Sequence, residues 1–123
     1  YKEVSSEDKS ITKRDDFLDL VKSCDICIAT TGLHKSIGWK FGEYVAAARA
    51  IVTEPLYYEL PGEISKGKNY EEFGTVDELI NILRNLINNN DKRKYIMNNN
   101  LMYYRQYVRP DILVKNTLMK IVE

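Results

Sequence analysis

The apolar run Ile26-Cys-Ile-Ala29, cut off by Thr30-Thr-Gly32, constrains this chain more than any other feature. Four apolar residues without polar alternation read as a strand covered on both faces, as in a parallel sheet. A short polar loop follows, and the apolar spacing beyond it predicts a helix from Ser36 to about Ala48. Ile37, Phe41, Tyr44, Val45 and Ala48 form its core stripe, while Ser36, Lys40, Glu43 and Ala47 run along a second face that can look into a cleft. A strand, loop and helix in this order place backbone N–H groups and a positive dipole end at the C-terminal side of a sheet. Phosphorylated ligands bind there in open α/β folds.

The remaining segments extend the same pattern. Thr12 and Asp15 have capping-box spacing, and Phe17, Leu20, Val21 and Cys24 recur at helical intervals, which predicts a helix over about 13–23. Ala50-Ile-Val-Thr53 is a second strand ended by Glu54-Pro55, residues 55–68 are loop, and Asn69-Tyr-Glu-Glu-Phe73 is a third strand. Thr75-Val-Asp-Glu78 is a capping box ahead of an amphipathic helix carrying Val76, Leu79, Ile80, Leu83 and Ile87. Asp91 is expected to cap a helix reaching about Tyr107, and Pro110 suits the first turn of a final helix. Strands separated by helices imply a parallel sheet. The predicted fold is therefore α/β, a partial Rossmann-like sheet flanked by helices with a helical C-terminal tail.

At 123 residues the chain is a single domain with one core. Three strands are few for such a sheet, and the chain opens on Tyr1 with a polar segment. We therefore read residues 1–123 as a piece of a longer protein whose partner strands lie upstream. A formal net charge of zero argues against a nucleic-acid partner. No apolar run approaches the roughly 20 residues of a membrane span, and no leader peptide is visible. Cys24 and Cys27 have redox-motif spacing but sit at a helix end and within a strand, so two buried, reduced thiols in a cytoplasmic protein are expected.

The candidate site gathers around the helix start. Lys35 and the first-turn N–H groups of Ser36, Ile37 and Gly38 suit a diphosphate, although Lys35 taken alone reads first as a solvated loop lysine. The carboxylate of Glu43 can accept from two vicinal ribose hydroxyls, or pair with Lys40 on the helix surface. Gly38 and Gly42 each cost a helix about 1 kcal/mol relative to Ala, which suggests close approach to the backbone by a ligand or by the sheet. His34, the sole histidine, lies in the polar loop rather than on an apolar face. The sequence offers no metal-ligand cluster, no glycine-rich nucleotide fingerprint and no assignable catalytic triad, so no metal, cofactor or catalytic residue is named. Tyr103, Tyr104 and Tyr107 look like packing or interface residues, since no basic groove accompanies them.

From Lys35 to Val52 the chain resembles the donor-binding segment of group 1 glycosyltransferases with the two-domain GT-B fold. In that family a helix opens on a Glu-Gly-Phe-Gly-type sequence, and a second glutamate follows eight positions after the first. Here Lys35-Ser-Ile-Gly38 stands at the opening, Glu43 stands at the second glutamate, and Val45-Ala-Ala-Ala-Arg-Ala-Ile-Val52 is similar to the helix end and next strand. The sequence departs at Lys35, where the first glutamate would be, at Ala48 for the usual Gly, and at Ala50 for the usual Pro. The remainder loosely resembles the family's C-terminal run.

The resemblance implies the C-terminal, nucleotide-sugar-binding portion of a glycosyltransferase. Glu43 would hold the ribose and the 36–38 segment the diphosphate. Lys35 or Lys40 would offset charge on the departing nucleotide, and His34 would touch the donor sugar or its phosphate. The acceptor site and any general base would come from a missing N-terminal domain, leaving this piece inactive alone. A saccharide or lipid-linked acceptor, a role in bacterial surface-polysaccharide synthesis and peripheral membrane association through the parent protein are further implications. Two alternatives remain: a non-catalytic, flavodoxin-like ligand-binding or regulatory domain, and a nucleotide-sugar epimerase, against which the absent glycine fingerprint counts.

Overall fold

A computed structural model describes residues 14–122. The chain runs through helix α1 (Arg14–Ser23), strand β1 (Ile26–Ala29), a 3-10 turn (Leu33–Lys35) and helix α2 (Trp39–Ala46). Strands β2 (Ala50–Thr53) and β3 (Tyr70–Glu72) follow, then helices α3 (Val76–Asn88) and α4 (Asn90–Tyr103), a π-helical segment (Tyr104–Val108) and helix α5 (Pro110–Val122). The three strands form one parallel sheet in the order β1-β2-β3, with Ile28 opposite Val52 and Val52 opposite Glu71. The mixed α/β class, the flanking helices and the helical C-terminal tail agree with the sequence reading. The Thr12 cap and the polar opening segment fall outside the described residues.

Alternation along the strands separates two apolar layers. Cys27, Ala29 and Ile51 pack with Val21 of α1, Phe41, Tyr44 and Val45 of α2, and Tyr103 of α4. On the other face Ala50 and Val52 pack with Leu86 of α3 and Ile96 of α4. The central strand β2 is buried at all four residues, as expected for a parallel strand covered on both sides. β1 departs from the expectation of cover on both faces. Ile28 is 42 % exposed, because α3 and α4 pack over β2 and, among the described residues, the cluster they form takes in β1 only at Ile26.

Helix ends follow local chemistry. Thr75 Oγ1 accepts from the Glu78 amide at 3.2 Å, and the Glu78 carboxylate accepts from the Gly74 amide at 3.0 Å. The second cap falls on Asn89 rather than Asp91. Asn89 Oδ1 accepts from the Lys92 amide at 3.0 Å, so α4 begins at Asn90 and Asp91 lies inside its first turn. Beneath the sheet a buried amide pair ties three segments together. Asn100 Nδ2 donates to the carbonyls of Arg49 and Asn69 at 2.7 and 2.9 Å, and Asn69 Nδ2 donates to Asn100 Oδ1 at 3.2 Å.

Both cysteines are free thiols. Cys27 is buried as expected, and burial pushes its thiol up to about 11. Cys24 is exposed, because it follows the last residue of α1 and lies outside the apolar layer.

Candidate functional site

The C-terminal edge of the sheet carries the loop between β1 and α2, and this loop is more tightly folded than a helix start. The Gly32 amide donates to the Ser36 carbonyl at 2.7 Å, the Lys35 amide donates back to the Gly32 carbonyl at 3.0 Å, and the Ser36 amide donates to Leu33 at 3.1 Å. His34 and Lys35 both adopt the left-handed region, with φ of 56° and 61°. Two adjacent non-glycine residues in that region are uncommon and are held by their surroundings. Here the closure of Gly32 on Ser36 holds them, together with the Tyr58 hydroxyl, which donates to the His34 carbonyl at 3.2 Å.

This loop corrects the expected helix start. Ser36 and Gly38 are extended (ψ 152° and 151°), and Ile37 bridges antiparallel to Thr31. α2 therefore opens at Trp39 with Gly38 as its N-cap. The Ser36 amide is committed to Leu33, and the first-turn amides that precede the helix's own ladder belong to Trp39 and Lys40. The physical reason is the Gly32–Ser36 closure, which fixes Ser36 in extended geometry. A Cβ on Gly32 would lie 2.9 Å from Ser36 Oγ, a contact that rotation of the serine hydroxyl relieves.

The cations flank the edge without converging. Lys35 Nζ sits 4.6 Å from the centre of the Tyr57 ring, on the loop after β2. Lys40 Nζ lies 5.8 Å from the Phe17 ring of α1, and Phe17 packs at 6.1 Å against Trp39. Glu43 lies one turn into α2, half-buried, with both carboxylate oxygens shielded from solvent. A ligand hydroxyl reaches that carboxylate only after its cover moves. Neither glycine marks a tight approach. A Cβ on Gly38 would make ordinary contact with the Thr30 carbonyl at 3.6 Å, and one on Gly42 would meet nothing within 4 Å. Gly42 instead borders an apolar pocket of about 300 Å³, shared with Trp39, Val45, Tyr103, Val108 and Leu113.

Glu54 is the edge residue that the sequence reading missed. Its Oε2 accepts from both the hydroxyl and the amide of Thr31, at 2.7 and 3.2 Å, and so fixes the start of the loop. A signal for it existed. Thr31 and Glu54 each stand just beyond the end of an apolar strand, and parallel neighbours bring such ends side by side. Among the described residues no group of three His, Cys, Asp or Glu side chains is placed to hold a metal ion, and no helix is long and apolar enough to cross a membrane.

Fold and edge together define a parallel α/β domain with a closed, cation-flanked loop at the C-terminal ends of its strands. No family model, curated protein or solved structure matches the chain.

Proposed function

We propose that this domain binds a nucleoside diphosphate-sugar at the C-terminal edge of its sheet and forms the donor-binding part of a glycosyltransferase. The observation that carries the reading is the loop itself: a strained, hydrogen-bonded turn that ends β1, presents Lys35, and delivers the chain to the start of α2. In open α/β sheets this is where phosphate groups are received. The first-turn amides of α2 and the ammonium of Lys35 would meet the diphosphate, with Lys40 and His34 at its margin. Cationic groups so placed favour departure of a nucleotide diphosphate by stabilising the charge that develops on it. Glu43 would take the ribose once its carboxylate is uncovered. The sugar acceptor, a saccharide or lipid-linked molecule, would be supplied from a second domain, and synthesis of a bacterial surface polysaccharide is a fitting context.

A second reading, a non-catalytic ligand-binding or regulatory domain, is favoured by the covered position of Glu43. Both are tested by titrating uridine, guanosine and adenosine diphosphates, and inorganic pyrophosphate, into the 123-residue chain and its Lys35→Ala and Glu43→Gln variants. The transferase reading expects one nucleotide to bind more tightly than pyrophosphate, with about a tenfold loss in each variant, the size of a hydrogen bond to a charged group. Equal affinity of wild type and Glu43→Gln removes the ribose role and leaves the binding-domain reading. Absence of binding by every diphosphate sinks both.

A further inference from the structure

A second cleft, of about 260 Å³, opens between the 61–68 loop and the end of α4. Lys68 leads into the N-terminal end of β3, so this cleft lies at the opposite end of the strands from the Gly32–Trp39 edge. Its walls carry Glu63, Lys68, Asn99 and Gln106, with Tyr103 and Tyr107 beside them. Among the described residues the side chains of Glu63, Lys68 and Gln106 make no hydrogen bond or ion pair. Asn99 Nδ2 donates to the Lys68 carbonyl at 3.0 Å, which leaves its amide oxygen available as an acceptor.

The backbone around the cleft is unusual on both sides. Tyr104–Val108 is π-helical, and one extra residue in a turn rotates everything after it by about 100° relative to an uninterrupted α-helix. That rotation sets where Gln106 and Tyr107 stand. Opposite them Gly62 has φ of +72°, and the Tyr107 ring lies where its Cβ would be. The Tyr103 hydroxyl donates to the Pro61 carbonyl at 2.6 Å and fixes the same loop to the helix. Such π segments recur at functional sites, because their cost in helix geometry persists only where something else depends on it.

The geometry points to this cleft as a saccharide-binding site. One carboxylate and one ammonium cancel in formal charge, which suits neither a phosphate nor a metal ion. The two carboxamides each donate and accept. A sugar hydroxyl also does both, so a ring of hydroxyls matches this mixed set, and the C–H face of a sugar ring suits the half-buried Tyr107 ring at the margin. The cleft, at about 260 Å³, is on the scale of one sugar ring with its substituents.

The test follows amide resonances of the 123-residue chain while glucose, galactose and N-acetylglucosamine are added, with glycine and inorganic phosphate as separate arms. The expected result is saturable shifts for at least one sugar, centred on Lys68, Asn69 and the side-chain amides of Asn99 and Gln106. Affinity should fall at least tenfold in Gln106→Ala and in Glu63→Gln. Both side chains are exposed, so unchanged resonances elsewhere will establish that the variants fold. Absence of saturable shifts with all three sugars overturns the assignment. So does an affinity unchanged in both variants, or saturable binding of glycine or phosphate at these residues in place of sugar.

Discussion

Thr31 and Glu54 tie the ends of neighbouring parallel strands together: one carboxylate oxygen accepts from both the hydroxyl and the amide of Thr31, at 2.7 and 3.2 Å. The pair forms where β1 gives way to the loop, so it sets the loop's starting direction. Replacing Glu54 by Ala should lower stability by about 1.5–3 kcal/mol, the range for hydrogen bonds to a charged group in a partly buried setting. Urea unfolding measures this as a lower midpoint at unchanged slope. If the midpoint of Glu54→Ala coincides with wild type, the contact has no structural role.

The Asn69–Asn100 pair makes a stronger demand, because both side chains are almost wholly buried. Asn100→Leu leaves the Arg49 and Asn69 carbonyls without their donor and should cost about 3 kcal/mol. A double-mutant cycle with Asn69→Ala and Asn100→Ala should show coupling of about 1 kcal/mol, since Asn69 Nδ2 donates to Asn100 Oδ1. Additive losses would mean that the two amides act separately.

The order of elements was legible because it rests on periodicity and capping, which are local. The apolar run at β2, the Thr75 capping box and Pro110 each carry their meaning within a few residues. The start of α2 was not legible. Its position depends on a hydrogen bond from Gly32 to Ser36 and on the left-handed His34–Lys35 step, and nothing in the residue types at 34 and 35 demands positive φ. The cap at Asn89 was misplaced by two residues because Asn and Asp are comparable caps, and only the resulting helix length separates them. Cover on Ile28 was expected from lack of alternation, yet cover depends on where distant helices lie. At the site, the residue types at 34–43 were readable, whereas the shielding of Glu43 and the divergence of Lys35 from Lys40 are tertiary facts.

Alkaline titration should weaken the fold. Burial raises Cys27 from 9.0 to about 11 and Tyr103 from 10.0 to about 12. The unfolded chain therefore releases these protons at lower pH than the folded one, so it binds fewer protons between pH 9 and 12, and stability falls as pH rises through that window. Each group contributes a loss of about 2 kcal/mol by the upper end. Unfolding midpoints at pH 8, 10 and 11.5 should decline in that order, and Cys27→Ala should flatten the first part of the decline. A profile level to pH 11.5 contradicts the cause given.

The two thiols should differ in reactivity for the same reason. Cys24 is exposed and Cys27 is buried with its thiol held protonated. A disulfide reagent at pH 8 should modify one thiol per folded chain within minutes, with the second reacting only as the chain unfolds. Cys24→Ser should abolish the fast phase. Two fast equivalents in the native chain would show that the α1 and α2 cover over Cys27 opens readily.

Gly62 and Gly67 separate backbone conformation from contact. Both have positive φ, +72° and +84°, but a Cβ on Gly67 meets nothing within 4 Å, whereas one on Gly62 enters the Tyr107 ring. Gly67→Ala should therefore cost about 1 kcal/mol, from the left-handed backbone alone. Gly62→Ala adds a steric clash and should cost about 3 kcal/mol, in the range of overpacked sites. Pairing it with Tyr107→Ala should recover part of the difference, because the added methyl then has room. The measurement is the set of unfolding free energies for the two glycine variants and the double variant. Equal losses at Gly62 and Gly67, with no recovery in the double variant, would show that the ring does not press on the loop in solution.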